Sequence, residues 1–500
     1  MIQVDSIYKS LKRLTATIGL IYLVVAGYGI GFAAGDDFFL RQNIDVAGNI
    51  LGCRQADFNG DGKIDLALIV SEPTGKRTIK TYLQRESGRF PPGAGQTIEL
   101  PSSTNMVQCR DMDGDGRSEI ITIDHDGLRM FAHNGERFDD NPKTEVPGPS
   151  IFNAGIEGSI LSHKFLYPVS GTWVAFMPIY DGFLLWEYKG GKFIRLGRLD
   201  TRHVIRYIER PVKLFGSMNT VFSMALPEIT VGDNNGDGLD DIYLTWPTRI
   251  AIYNQTEAGQ FDNEGRIDFD FQRLASGNLC QARLVDFDLD GRLDLVCSQS
   301  IGGVSGAHTE INFFGADRLR QQNRSASHNI SLTDAHGNLI IDNIDRSGGL
   351  ELVVPAVELG IMSAVKMMIT KKTDFHLLIY PIDNLGRPAS DPIIRRKITC
   401  RLDFDNADPT ANIRCDWSGD FNGDGFPDLV FADGGGQLMF YSGMAEEYIE
   451  KKASLVIDVV DPEFIKITQL NSDGRSDLII IHKPGSQSSR LTLLVTNRIG

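Results

Sequence analysis

The chain has 500 residues, 42% of them apolar and 23% charged, with a formal net charge of −15. Such a chain is long enough to bury a sizeable core, and its acidity argues against nucleic acid, which selects a basic surface.

Read from the start, the first 35 residues form a leader. Lys9, Lys12 and Arg13 precede an apolar run from Leu14 to Ala34. This reads as a secretory signal or a single membrane anchor, a possible tether. Under both readings the basic flank stays inside and the rest is exported, to a secreted, periplasmic or cell-surface location. Gly29, Gly31 and Ala34 in "GIGFAA" mimic a dinucleotide fingerprint, but no strand precedes them. From residue 36 the chain reads as one domain. It opens with "DDFFLRQNIDVAGN", which looks like a strand, and reaches "DFNGDGKIDL" at residues 57 to 66.

That stretch crowds Asp57, Asn59, Asp61 and Asp65 together, although like charges repel. Oxygen side chains at positions 1, 3, 5 and 9, with Gly at 6 for a sharp turn, resemble the first part of an EF-hand calcium loop. Position 12 is Leu68 instead of Glu, so position 9 must supply the closing carboxylate. The pattern returns four times. Asp111, Asp113, Asp115 and Glu119 form the second copy, and Asp233, Asn235, Asp237 and Asp241 the third. Asp286, Asp288, Asp290 and Asp294 form the fourth, and Asp420, Asn422, Asp424 and Asp428 the fifth. Two further copies are eroded: one keeps Asp345 and Glu351, the other Asn471, Asp473 and Asp477. Repetition of one ligand alternation predicts divalent-cation sites, about five Ca²⁺ per chain. Five ions would bring the net charge to about −5, and without them the loops should repel.

The glycine at position 6 serves as a ruler. Gly62, Gly116, Gly238, Gly291, Gly348, Gly425 and Gly474 are 49 to 77 residues apart, except for one gap of 122. That gap predicts a hidden unit near residue 170, where "LYPVSGTWVA" places Gly171 with no carboxylate at any ligand position. Each unit reads as four strands: one before the acidic loop, one after it ("IDLALIV", "LDLVCS"), one ending in an aromatic ("RIAIYN"), then a Gly-x-Phe turn and a fourth. Eight such units predict an all-β fold, a propeller of eight four-stranded blades, with seven possible. The last unit stops after its third strand, so the N-terminal strand should close the last blade.

Residues 57 to about 490 resemble the FG-GAP/VCBS repeats of integrin α-chain propellers and of many secreted bacterial proteins. The resemblance implies calcium in the hairpin joining the first two strands of each motif-bearing blade. Positions 1, 3, 5 and 9 of the five complete loops would be the side-chain ligands, with a backbone carbonyl at position 7. The chain departs from the family in lacking recognisable Phe-Gly and Gly-Ala-Pro phrases.

Six cysteines permit disulfides, Cys280–Cys297, Cys400–Cys415 or Cys53–Cys109, or else are free buried thiols. No GxSxG, HExxH, P-loop or Cys-x-x-Cys motif is found, and Asp124-His125-Asp126 reads as a polar turn. Two insertions stand out. One carries Met362, Met367 and Met368 beside Lys366, Lys371 and Lys372; the other is "RHVIRYIERPVKLFGSMNTVF". Adaptable Met and basic side chains suit a partner surface, with Met367, Met368 and Arg206 as candidate contacts, and both insertions should leave the face away from the acidic loops. The expected function is an interaction platform for an unknown protein or glycan. The alternatives are a secreted polysaccharide lyase or hydrolase on the same scaffold, or a propeller lectin.

Overall fold

A computed structural model describes residues 38–497 apart from 153–159, 202–203, 212–217, 248, 258, 271–278, 303–305, 323–324, 404–412, 484 and 486. The leader at 1–35 lies outside the described residues.

Each repeat forms one four-stranded antiparallel sheet in sequence order, because short β-rich runs are separated by tight turns. Blade 1 comprises Asn49–Ala56, Asp65–Ser71, Arg77–Tyr82 and Gln96–Leu100. Blade 5 comprises Leu279–Val285, Asp294–Ile301, His308–Phe314 and His328–Thr333. The hidden unit is real: blade 3 runs Leu166–Val169, Thr172–Ile179, Gly182–Lys189 and Lys192–Asp200. Blade 8 contains Pro462–Thr468, Asp477–His482 and Arg490–Thr496, and its fourth strand is Phe39–Asp45 from the other end of the chain. Phe39 pairs with Thr496 and Asp45 with Arg490. The fold is an eight-bladed β-propeller, closed by its N-terminal strand.

The second strand of a blade is apolar at nearly every position because blades stack face to face and both sides of it are covered. Asp65–Ser71 and Asp477–His482 are buried along almost their whole length. The core is divided accordingly into eight apolar clusters, one at each blade junction. Ile44, Leu68 and Ile479 belong to the cluster joining blades 8 and 1, so the seam is packed like every other junction.

Antiparallel order fixes which connections share a face. The acidic loops join first to second strands, and they lie with the third-to-fourth connections on one face. Second-to-third connections and blade-to-blade connections lie on the other. Both insertions use this second face. One is a helix, Ile361–Thr370, between strands Leu350–Glu358 and Lys372–Ile382 of blade 6. The other is an added hairpin, Val204–Pro211 with Met218–Ala225, between blades 3 and 4. The side chain of Arg206 lies outside the described residues. Among the described residues no helix is long and apolar enough to cross a membrane.

The five described cysteines are free thiols. Burial pushes the Cys53, Cys109 and Cys400 thiols up to about 12. Cys297 sits opposite Ala282 and Cys280 opposite Gln299, so the expected cross-strand pair is out of register by two residues.

Candidate metal loops and the opposite face

The acidic loops are held by their own backbone. In blade 1 the Asp57 carboxylate accepts Gly60 N–H at 2.7 Å and Gly62 N–H at 2.7 Å. Asn59 Oδ1 accepts from Asp61 N–H and Asp61 Oδ1 from Lys63 N–H. Each short polar side chain thus fastens the turn two to five residues ahead. Gly62 takes φ 78°, the left-handed region where Gly carries no Cβ penalty. Asp111, Asp233 and Asp420 make the same pair of bonds to the N–H groups at positions 4 and 6. In blade 5 Leu289 stands at position 4, and Asp286 accepts from Asp290 and Gly291 instead.

This wrapping gathers positions 1, 3 and 5. One oxygen from each of Asp111, Asp113 and Asp115 lies within 4.8 Å of the others, and the same holds for Asp286, Asp288 and Asp290. Three converging carboxylates, all hard oxygen donors, fit a Ca²⁺ ion. In blades 4 and 7 position 3 is an Asn, and its amide donates to position 5: Asn235 to Asp237 and Asn422 to Asp424, both at 2.9 Å. Basic side chains sit on the rim, Lys63 on Asp61 at 3.0 Å and Arg292 on Asp290 at 2.6 Å.

Position 9 is placed differently. Asp65, Glu119, Asp241, Asp294 and Asp428 are buried beneath their loops. In blade 1 the two oxygens of Asp65 accept Phe58 N–H at 3.0 Å and Gln84 N–H at 2.7 Å. The first donor is in the loop and the second follows the third strand, so the carboxylate acts as a strut between two chain crossings. Asp241, Asp294 and Asp428 make the same two bonds. Glu119 makes the first, to Met112 at 2.8 Å. An accepting oxygen keeps a second lone pair, so the strut leaves capacity for an ion above it. Burial pushes Asp65, Asp241 and Asp428 up to about 6, and Glu119 and Asp294 up to about 7, against the lowering effect of their backbone bonds.

The strut was hidden in the ligand pattern, but a signal for it existed. The eroded copies lost position 1 or 5 and kept position 9. Asp477 of blade 8 accepts Leu470 N–H at 2.6 Å and Thr496 N–H at 2.8 Å, and Glu351 of blade 6 accepts Ile344 N–H at 2.9 Å. A residue retained where metal ligands are lost is serving the fold.

On the opposite face, the helix Ile361–Thr370 has no buried residue. Its half-buried positions are Ser363, Ala364 and Met367. Ile361, Met362 and Ile369 are 68%, 80% and 77% exposed, and Val365 and Met368 join them. Amphipathic helices normally turn the apolar stripe inward; this one turns it outward. Of the predicted contacts, Met368 is exposed and Met367 faces the propeller. The Asp124-His125-Asp126 segment is the turn it was read as, with His125 Nδ1 2.8 Å from Phe152 O.

A family model for FG-GAP-like repeats matches residues 57–122 and 233–297, the loop regions of blades 1–2 and 4–5. No curated protein matches. Among solved structures the chain is similar to a lectin from Agrocybe aegerita that recognises non-reducing terminal N-acetylglucosamine, at 12% identity over 92% of this chain and 86% of that one, TM-score 0.34. It is also similar to the V. cholerae biofilm matrix protein Bap1, at 12% identity over 91% of this chain and 88% of that one, TM-score 0.42. Neither likeness bears on what this chain binds.

Proposed function

This chain is an FG-GAP-repeat β-propeller, and from that premise we propose that it is an exported, calcium-stabilised interaction platform for a protein or glycan. The leader's basic flank and apolar run support export. Convergence of the carboxylates at positions 1, 3 and 5 in blades 2 and 5 supports calcium there, and the shared loop wrapping extends the reading to blades 1, 4 and 7, with Asp57, Asp111, Asp233, Asp286 and Asp420 as the first ligands. Calcium there is structural: it neutralises the crowded oxygens and fixes the hairpins that cap one face.

The observation that carries the platform reading is the inverted helix. Five of the exposed large apolar side chains among the described residues sit on these ten positions. Such a patch on a folded surface marks an interaction site. The added hairpin Val204–Pro211/Met218–Ala225 leaves the same face. Replacing Ile361, Met362 and Ile369 together by Ser is expected to abolish retention of a partner purified from the native secretome. The melting temperature and calcium count should stay unchanged, because none of the three is buried. Full retention by the triple variant would remove the helix from the interaction. Cleavage of a polysaccharide by the purified protein would replace the platform by the lyase or hydrolase reading.

A further inference from the structure

The innermost strand of each blade walls the central channel. Three residues before the acidic loop, or at the equivalent place in other blades, one side chain of this strand points toward the next blade. In blade 1 this is Arg54, which donates to Val107 O at 2.6 Å, Cys53 O at 3.1 Å and Leu161 O at 3.3 Å. In blade 2 it is Gln108, which accepts from Phe165 and Leu166 N–H of blade 3. In blade 5 it is Arg283, which instead reaches back to Glu228 of blade 4 at 3.5 Å, and in blade 8 Lys466, whose Nζ donates to Gln55 Oε1 of blade 1. In blade 7, where a bulge shifts the register, the residue at this level is Asp416, which pairs with Val430.

Lys466 and Arg54 are both half-buried. Burial pushes the Lys466 ammonium below its ordinary value, and the charges of Arg54 and Lys164 act in the same direction. Burial lowers Arg54 as well. Among the described residues neither forms an ion pair with a carboxylate. Lys466 has three N–H donors and one partner. Gln55 gives its Oε1 to Lys466 and Thr468, which leaves its Nε2 buried with no acceptor. The junction of blades 8 and 1 therefore holds an ammonium with unused donors and an amide N–H₂, with no carboxylate bonded to either. Cations withdrawn from water without a counter-charge are costly. An anion placed there would accept from both.

We propose that the channel binds an oxyanion against Lys466 and Gln55: a carboxylate or sulfate group, free or carried on an acidic sugar. A cavity of about 690 Å³ lies beside the site on the same wall. It is lined by Arg283, Arg414 and His336, reaches Ile465 of blade 8, and has Asp416 as its one carboxylate. Its lining includes Val357 and Leu359, at the end of a second strand, so it opens on the face away from the acidic loops. An anion is drawn in from that side and repelled by the loops at the other mouth.

The test is calorimetric titration of the full chain with calcium present, in low-salt chloride buffer. Sodium sulfate, sodium glucuronate and neutral glucose are the probes. Saturable heat is expected for sulfate, glucuronate or both, and none for glucose; glucuronate without sulfate identifies the sugar-borne group, and sulfate without glucuronate the free ion. Lys466→Met should weaken the binding anion about tenfold or more, the scale of one charge-assisted hydrogen bond, and Lys466→Arg should retain most of it. Should Lys466→Met fail to fold, Gln55→Leu is expected to show a weakening of the same sign. The absence of saturable heat for both anions overturns the proposal, as does equal affinity in wild type and in whichever of these variants folds. Partner retention through the helix Ile361–Thr370 should be unchanged in Lys466→Met, so the two readings fail separately.

Discussion

Blades 3 and 5 join their first two strands in opposite ways. Blade 3 uses a two-residue turn, Ser170 at φ 48° and Gly171 at φ 80°, between the paired residues Val169 and Thr172. Two consecutive positive φ values give the turn whose twist suits a hairpin, and Ser170 fastens it to Asp240 and Gln255 of blade 4 without any metal. Blade 5 spends eight residues between Val285 and Asp294, three of them the carboxylates Asp286, Asp288 and Asp290. Its loop is pinned beneath by Asp294 and needs positive charge above. Both blades build the same four-stranded sheet. A propeller blade therefore does not require metal. On the proposed reading the acidic loop adds a stabilisation that depends on calcium concentration.

The widest test of that contrast is removal of metal from the whole ring. At a hundredfold excess over Kd one ion contributes about 2.7 kcal/mol, so five should contribute on the order of 10 kcal/mol. Excess chelator should lower the melting temperature strongly against millimolar Ca²⁺, read by calorimetry. Unchanged melting would sink the calcium reading. The pH dependence sharpens it. The buried struts have folded values raised to about 6, as for Asp65 and Asp477, or about 7, as for Glu119 and Glu351. A carboxyl raised in this way holds its proton longer in the folded state than in the unfolded chain. Its contribution is full below the unfolded value, about 4, and is lost as pH rises through the folded value. The chelated protein should lose stability from about pH 4 to about pH 7, and calcium should flatten that slope.

The next effect separates strut from ligand. Blade 8 has Gln469 at position 1 and is no complete metal loop, yet Asp477 holds two buried N–H groups. Asp477→Ala should cost about 2–4 kcal/mol, one to two buried donors left unmatched, with the calcium count still about five by mass spectrometry. A fall in that count would make blade 8 a metal site after all. Asp290→Ala is the converse. It removes a gathered carboxylate and should reduce the count by one at a cost of about 2–3 kcal/mol, measured in calcium-saturated protein. Smallest of all, Ser170→Ala removes one hydrogen bond to the buried Gln255 and should cost about 1 kcal/mol at an unchanged count.

The sequence carried most of this fold because two signals agreed. The position-6 glycines set the period, and the gap of 122 residues fell on Gly171 of a metal-free blade. The truncated last repeat announced the closing strand Phe39–Asp45. What it hid were features set by neighbouring chain segments. Asp65 reads as a fourth ligand by spacing; only the fold brings Gln84 N–H against it. The Met-rich insertion reads as a partner surface, and only the fold shows it as a helix seated on Ser363, Ala364 and Met367 with its apolar side outward. The cysteine pairs looked adjacent by strand order, but pairing depends on register, and Cys297 met Ala282.

The seam of the ring has a mechanical consequence. Phe38 O accepts Asn497 N–H at 2.8 Å, so the two ends of the described chain meet on the acidic-loop face. A tether leading into Phe38 would hold the propeller by that face and present the helix Ile361–Thr370 outward. Pull from a bound partner would then run along the strands. The seven pairs from Phe39–Thr496 to Asp45–Arg490 have hydrogen bonds perpendicular to that direction. They would be loaded in shear, all sharing the force, instead of being unzipped one pair at a time.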